Sequence, residues 1–167
     1  MCSLEPFLYL MKTTTRGINI IKMLRIILLI VASVGYCGDS YTSLGPYQLG
    51  STLTQVQGVG YPIKLSEPAN KFKTDVYETK IDGTTMSLIF SDGLLHSIII
   101  KLERSSYAEY LKGKQDFIGL FGRRPNVSEN PGVIPQYITV WWHDVGTTFS
   151  LNYDPKTYTT YMSLTIR

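Results

Sequence analysis

The sequence predicts an α+β domain in which one or two short helices pack on an antiparallel sheet of five to seven strands. Three observations predict it. Thr74–Ile81 and Thr84–Phe90 alternate side chains as a strand with one buried face does. Asp82-Gly83 and Ser91-Asp92-Gly93 follow such segments, and Asp-Gly is the pair that closes tight hairpins. Helical spacing behind a capping residue occurs in two stretches, around Leu49–Val56 and from Ser105 onward. Composition agrees, since 12 Tyr and 2 Trp stand beside many Thr, Ile and Val, residues that suit a pleated, half-buried surface.

The chain divides into a leader at 1–37, a short linker at 38–46 and one globular region at 47–167. In the leader, the apolar run Ile26–Cys37 falls short of the roughly 20 residues that a membrane-spanning helix needs. Lys12, Arg16, Lys22 and Arg25 precede or open it, and Ala32-Ser33-Val34-Gly35 follow its core. That order is the signature of an export signal, so the expected location is periplasmic or secreted. The first ten residues fit poorly ahead of such a signal, and Met11 or Met23 would make a more ordinary start. Cys37 is a lipidation candidate, although the bulky Tyr36 stands where a lipoprotein peptidase wants a small residue. An ordinary cut after Gly35 or Cys37 accounts for the stretch equally well. With the leader removed, at most one cysteine remains, so no intramolecular disulfide is expected.

The leader also explains the charge. The formal net charge is +3, which equals its four cations less Glu5, and the rest of the chain is balanced. The basicity that would hint at nucleic acid therefore belongs to the export signal, and no nucleic-acid partner is expected. Contact with a membrane is expected only through a lipid on Cys37.

Within the globular region, Leu49, Leu53 and Val56 form a short helical stripe that Ser51 or Thr52 can cap, and Gly58, Gly60 and Pro62 end it. Strands are expected at Thr74–Ile81, Thr84–Phe90 and Leu94–Glu103. Ser105 or Ser106 then caps a second helix, with Glu109 in capping-box position to Ser106. Tyr107, Tyr110, Leu111, Phe117, Ile118 and Phe121 can line its buried face. Gly113 and Gly119 weaken this helix, so a break or bend is expected. Residues 123–135 read as loop. Three strands follow, Gln136–Asp144, Thr147–Asp154 and Thr160–Arg167, with Asp154-Pro155-Lys156 turning between the last two.

An internal echo accompanies this order. Gly83–Asp92 reads GTTMSLIFSD and Gly146–Pro155 reads GTTFSLNYDP, 63 residues apart. Gly50 and Gly113, and Pro62 and Pro125, repeat at the same spacing. A duplicated helix-plus-hairpin unit, with repeats at about 47–104 and 105–167, and two hairpins of independently similar design both account for it.

Leu49–Pro62 (LGSTLTQVQGVGYP) resembles the opening of small bacterial envelope domains of the SmpA/OmlA type, through Gly50, Val56 and the Gly60-Tyr61-Pro62 exit. Ser51 stands where that family usually has Met. Leu88–Ile100 (LIFSDGLLHSIII) resembles the hairpin that follows in the same family. Two such units in tandem would resemble the β-lactamase-inhibitor-protein fold. The resemblance implies an envelope scaffold or an inhibitor of a hydrolase, acting on a protein partner and without enzymatic activity.

No catalytic, cofactor or metal-binding set is expected. No Gly-x-Ser-x-Gly elbow or phosphate-binding glycine loop is present, and no thiol pairs with a histidine. Only His96 and His143 are available, too few for a typical metal site. A hydrolase using His143 and Asp144 is the enzymatic alternative, but neighbours on a regular strand point to opposite faces. Trp141-Trp142 suggests binding instead. One ring faces the core and the other outward, where Tyr137 or Tyr161 beside it would make a partner-binding surface; a cover by the loop 123–135 is the plain alternative. Arg123 and Arg124 could meet an acidic partner or remain solvated. Asn126-Val127-Ser128 matches a glycosylation sequon, which carries meaning only in a eukaryotic secreted protein.

Overall fold

The two segments that alternate most clearly in the sequence, Thr74–Ile81 and Thr84–Phe90, become adjacent, paired strands of the sheet. A computed structural model describes residues 42–67, 73–128, 138–143 and 146–167. The leader with Cys37, together with Tyr137 and Asp144, lies outside the described residues. Ten strands and two helices follow in order: β1 (Ser43–Leu44), β2 (Tyr47–Gln48), α1 (Leu53–Gln57), β3 (Ile63–Glu67), β4 (Thr74–Ile81), β5 (Thr84–Ser91), β6 (Leu94–Leu102), α2 (Tyr107–Phe121), β7 (Asn126–Ser128), β8 (Ile138–His143), β9 (Thr147–Asp154) and β10 (Thr159–Ile166). By architecture this is an α+β protein. β3 to β10 form one antiparallel sheet of eight strands in the order β3-β4-β5-β6-β10-β9-β8-β7, more than the five to seven expected. The two additions are its edges, β3 and β7, short strands that hold to one neighbour each.

Each helix thus precedes a meander of four strands, and the meanders join along their last strands, β6 and β10. The pairings on the two sides correspond. Tyr77 pairs with Leu88 and Val140 with Leu151; Met86 pairs with Ile100 and Phe149 with Leu164. β5 and β6 are closed by Asp92-Gly93, both at positive φ (51° and 78°), the requirement of a type I′ turn. β9 and β10 are closed by the longer Pro155–Tyr158 turn, while β6 takes up a register shift opposite Ile89 and Phe90.

One face of the sheet carries the core. Leu88, Leu95, Ile98, Val140 and Leu151 are fully buried there, with Met86, Phe90, Ile100, Phe149, Met162 and Leu164 beside them. α2 closes this face over β8 and β9 by burying Tyr110, Gly113 and Phe117, the spacing of one helical stripe. The Phe117 ring lies tilted 4.5 Å from Phe149 and 6.1 Å from Trp142, and Phe121 lies 5.1 Å from Trp142. Tyr110 and Tyr107 lie 5.5 and 5.6 Å from Tyr153. The helix starts where expected, with Ser106 and Glu109 exchanging both capping-box hydrogen bonds, and ends on Gly122 at φ 64°. It runs through Gly113 and Gly119 without a break, because docking of its aromatic stripe outweighs the roughly 1 kcal/mol that each glycine costs a helix.

α1 is a single turn and a half. Thr52 caps it with Gln55, and Val56 is its buried residue. Leu49, expected within this helix, instead precedes it in a turn whose neighbours bond to the start of β6: Gly50 N–H donates to the Leu95 carbonyl, and Leu95 N–H to that of Ser51, both at 2.8 Å. The repeat anchors Gly50 and Gly113 accordingly occupy unlike places, a turn and a helix interior, whereas Pro62 and Pro125 each stand directly before an edge strand. Residues 43–46, read as linker, form β1 and the turn to β2. They strap Leu44 and Tyr47, both 1% exposed, onto the core. The Tyr47 hydroxyl reaches Thr79 Oγ1, which donates to the Pro62 carbonyl, and burial raises the Tyr47 pKa.

Candidate binding face

Both helices and the β1–β2 strap lie on the core face. Among the described residues no element covers the other face, and strand register shows which side chains it displays. One row crosses the whole sheet as Lys64, Glu78, Ser87, Ile99, Ser163, Ser150, Trp141 and Asn126. A flanking row runs from Lys80 and Thr85 through Lys101, Tyr161 and Asn152 to Thr139. On the other side, Val76, Ile89, Ser97, Thr165, Thr148 and His143 lie in register.

The polar side chains of this face bond to one another across and along the strands. Ser97 and Thr165 hydroxyls meet at 2.7 Å, as do those of Ser150 and Ser163. Asn152 Nδ2 donates to Ser150 Oγ at 3.1 Å, and His143 Nδ1 lies 3.0 Å from Thr148 Oγ1. Lys101 and Glu103 pair at 2.9 Å on the exposed rim. Hydrogen bonding and attraction to Lys101 hold the Glu103 carboxyl below its usual pKa, and Glu103 raises that of Lys101 in return.

The two halves of this face differ. From β3 to β6 it presents Lys64, Glu67, Glu78, Lys80 and Lys101 around Val76, Ile89 and Ile99. From β7 to β10, the described outward positions around Trp141 and Tyr161 carry Ser, Thr, Asn and His, with no lysine, arginine, aspartate or glutamate. Asp154, at the end of β9, is buried and turned into its own loop, accepting Thr157 Oγ1 at 2.7 Å and the Lys156 N–H at 2.9 Å.

Of the residues singled out from sequence, Trp141 and Tyr161 share this face, both half-buried. They are separated by one intervening strand and a two-residue diagonal, roughly 12 Å by strand geometry. The Trp141 ring also lies 6.3 Å from that of His143. Trp142 is the inward member of the pair. At 3% exposure, with Nε1–H donating to the Arg123 carbonyl at 3.0 Å, it belongs to the core and presents nothing to a partner. The start of the loop at 123 therefore covers the inner ring, and residues 129–135 of that loop lie outside the described residues. Arg123 is drawn to the same corner, its guanidinium donating to the His143 carbonyl. Arg124 is exposed beside it. Asn126, the first residue of the sequon, lies on the open face of the edge strand β7.

His143 stands exposed at the end of β8; His96 is half-buried in β6. Among the described residues no group of three His, Cys, Asp or Glu could hold a metal, and no helix is long and apolar enough to cross a membrane. Ser150, Asn152, Ser163 and Thr148 do not stand out in the sequence. Their signal is parity: they alternate with Phe149, Leu151, Tyr153, Met162 and Leu164, so they must face away from the core once those are inside. No protein-family model, curated protein or solved structure matches this chain.

Proposed function

We propose that the protein is an exported, non-catalytic binding module that holds its partner against the helix-free face of the sheet. The observation that carries this reading is that face itself. It is continuous across eight strands, bare of any described element, and bears two half-buried aromatic rings of the type that dominates binding hot spots. Among the described residues the His143 ring nitrogen Nδ1 meets the Thr148 hydroxyl at 3.0 Å.

The module is built from two copies of one helix-plus-meander unit. Corresponding core pairs support this, with Met86, Leu88 and Phe90 matched by Phe149, Leu151 and Tyr153 at the spacing of the sequence echo. In β6 and β10 the spacing is one residue larger, so that Ile98 and Ile100 match Met162 and Leu164. The longer β9–β10 turn, less the extra residue in β6, accounts for the difference. A pseudo-twofold axis then passes through the Ile99·Ser163 pair. Tandem units of this form agree with the SmpA/OmlA-like opening and with the inhibitor-protein fold that such a tandem resembles.

Copurification tests the function. Material retained by the wild-type protein from envelope extracts is expected to be lost from a Trp141→Ala/Tyr161→Ser double variant and kept by Leu111→Ser on the exposed side of α2. Retention by the double variant, with its fold intact, would contradict the proposal. A single hydrolase as the retained material would point to inhibition as the task.

A further inference from the structure

We infer that the β7–β10 half of the open face binds an uncharged glycan chain of pyranose sugars. The inference rests on the open face being a binding surface and adds the chemistry of its ligand. Three features of that half decide among ligand classes. Trp141 and Tyr161 present two aromatic side chains whose Cα positions strand geometry sets roughly 12 Å apart, a distance that a short oligosaccharide spans. The face of an aromatic ring carries negative quadrupolar charge, which attracts the weakly positive C–H groups lining the apolar face of a pyranose ring. Between the rings, Ser150, Ser163 and Asn152 form a polar floor. Each hydroxyl can both donate and accept, and the Asn side chain has a carbonyl and two N–H donors. This matches the mixed donor and acceptor character of sugar hydroxyls.

The absence of charge narrows the choice further. Nucleic acid and anionic lipid are held by lysine and arginine, and acidic or phosphorylated peptides by arginine clusters. Among the described residues none of these side chains faces outward within β7 to β10, and Lys101, which stands opposite Tyr161 on β6, is paired with Glu103 at 2.9 Å. In the corresponding half, β3 to β6, charged residues occupy the same surface: Glu78 stands opposite Ser87, and Lys101 opposite Thr85. A neutral sugar chain loses little on leaving water for the uncharged half, because its hydroxyls exchange hydrogen bonds to water for bonds to hydroxyls and amides. An ionic ligand would give up hydration there without a counter-charge.

Trp141 supplies its own reporter, since Trp142 is buried beneath the sheet. The purified protein is titrated with soluble cello- and chito-oligosaccharides while tryptophan emission is followed, and its retention on cellulose and chitin is measured in parallel. A saturable change in emission with at least one of the two series is expected. Trp141→Ala and Tyr161→Ser are each expected to weaken retention about tenfold, an effect typical of losing one stacked ring, with thermal unfolding little changed. Absence of binding to either polysaccharide, or binding that both variants keep, overturns the inference. If a protein docks through Trp141 while no sugar does, the glycan is refuted and the open face stands as a binding surface. If neither docks there, both fail.

Discussion

Replacing Phe117 by alanine removes the side chain through which α2 is anchored. Phe117 is 2% exposed and lies among three other rings, 4.5 Å from Phe149, 5.8 Å from Phe121 and 6.1 Å from Trp142. Loss of its buried apolar surface costs about 2–3 kcal/mol. Ring-on-ring contacts add about 0.5–1.5 kcal/mol. The gap cannot close easily, because its walls are rigid aromatic side chains on a sheet, so the cost sits within the roughly 3–5 kcal/mol range of Phe→Ala substitutions in cores. About 4 kcal/mol is expected, which lowers the melting temperature by about 15 °C for a domain of this size. Urea unfolding followed by near-ultraviolet circular dichroism measures it, and should also show a weaker Trp142 signal before the transition. A loss below about 1 kcal/mol would refute the packing of α2 described above.

Other outcomes follow from single contacts. Ser106→Ala removes half of the capping box and should cost about 1 kcal/mol in urea unfolding. Gly119→Ala should stabilise the protein by about 0.5–1 kcal/mol, since the position is helical, exposed and has no atom within 4 Å of an added Cβ; Gly93→Ala, at φ 78°, should destabilise it by about 1–2 kcal/mol. Hydrogen bonds from Thr157 and then from the Lys156 N–H depress the Asp154 pKa below the usual carboxylate value. The stabilisation is therefore present above about pH 4 and lost as pH falls through the depressed value. Melting temperature against pH should show an acid decline that is shallower in Asp154→Asn; an unchanged decline would contradict the role of that carboxylate.

Much of the architecture was legible because it is written locally. Asp82-Gly83 and Asp92-Gly93 announce their turns, Ser106 and Glu109 their helix start, and the alternation of Thr84–Ser91 its buried face. What escaped is held by partners distant in sequence. β3 and β7 have no marked alternation, and each is a strand only because β4 or β8 offers it a ladder. The strap from Ser43 to Gln48 is too short to read, yet its Leu44 and Tyr47 seal the core. The pairing of β6 with β10, which fuses the two meanders, has no local signal. Of the candidate face, Trp141 and Tyr161 stood out by residue type. The hydroxyl floor between them is visible only once register assigns it to one side.

The most direct test of the open-face account is a cross-linking footprint in cells that produce the protein. A photoreactive amino acid is placed at Ser163 and at Tyr161 on the open face, and at Leu111 and Tyr107 on the exposed side of α2. The account predicts adducts from Ser163 and Tyr161 and none from the helix positions. Adducts confined to Leu111 and Tyr107 would contradict it.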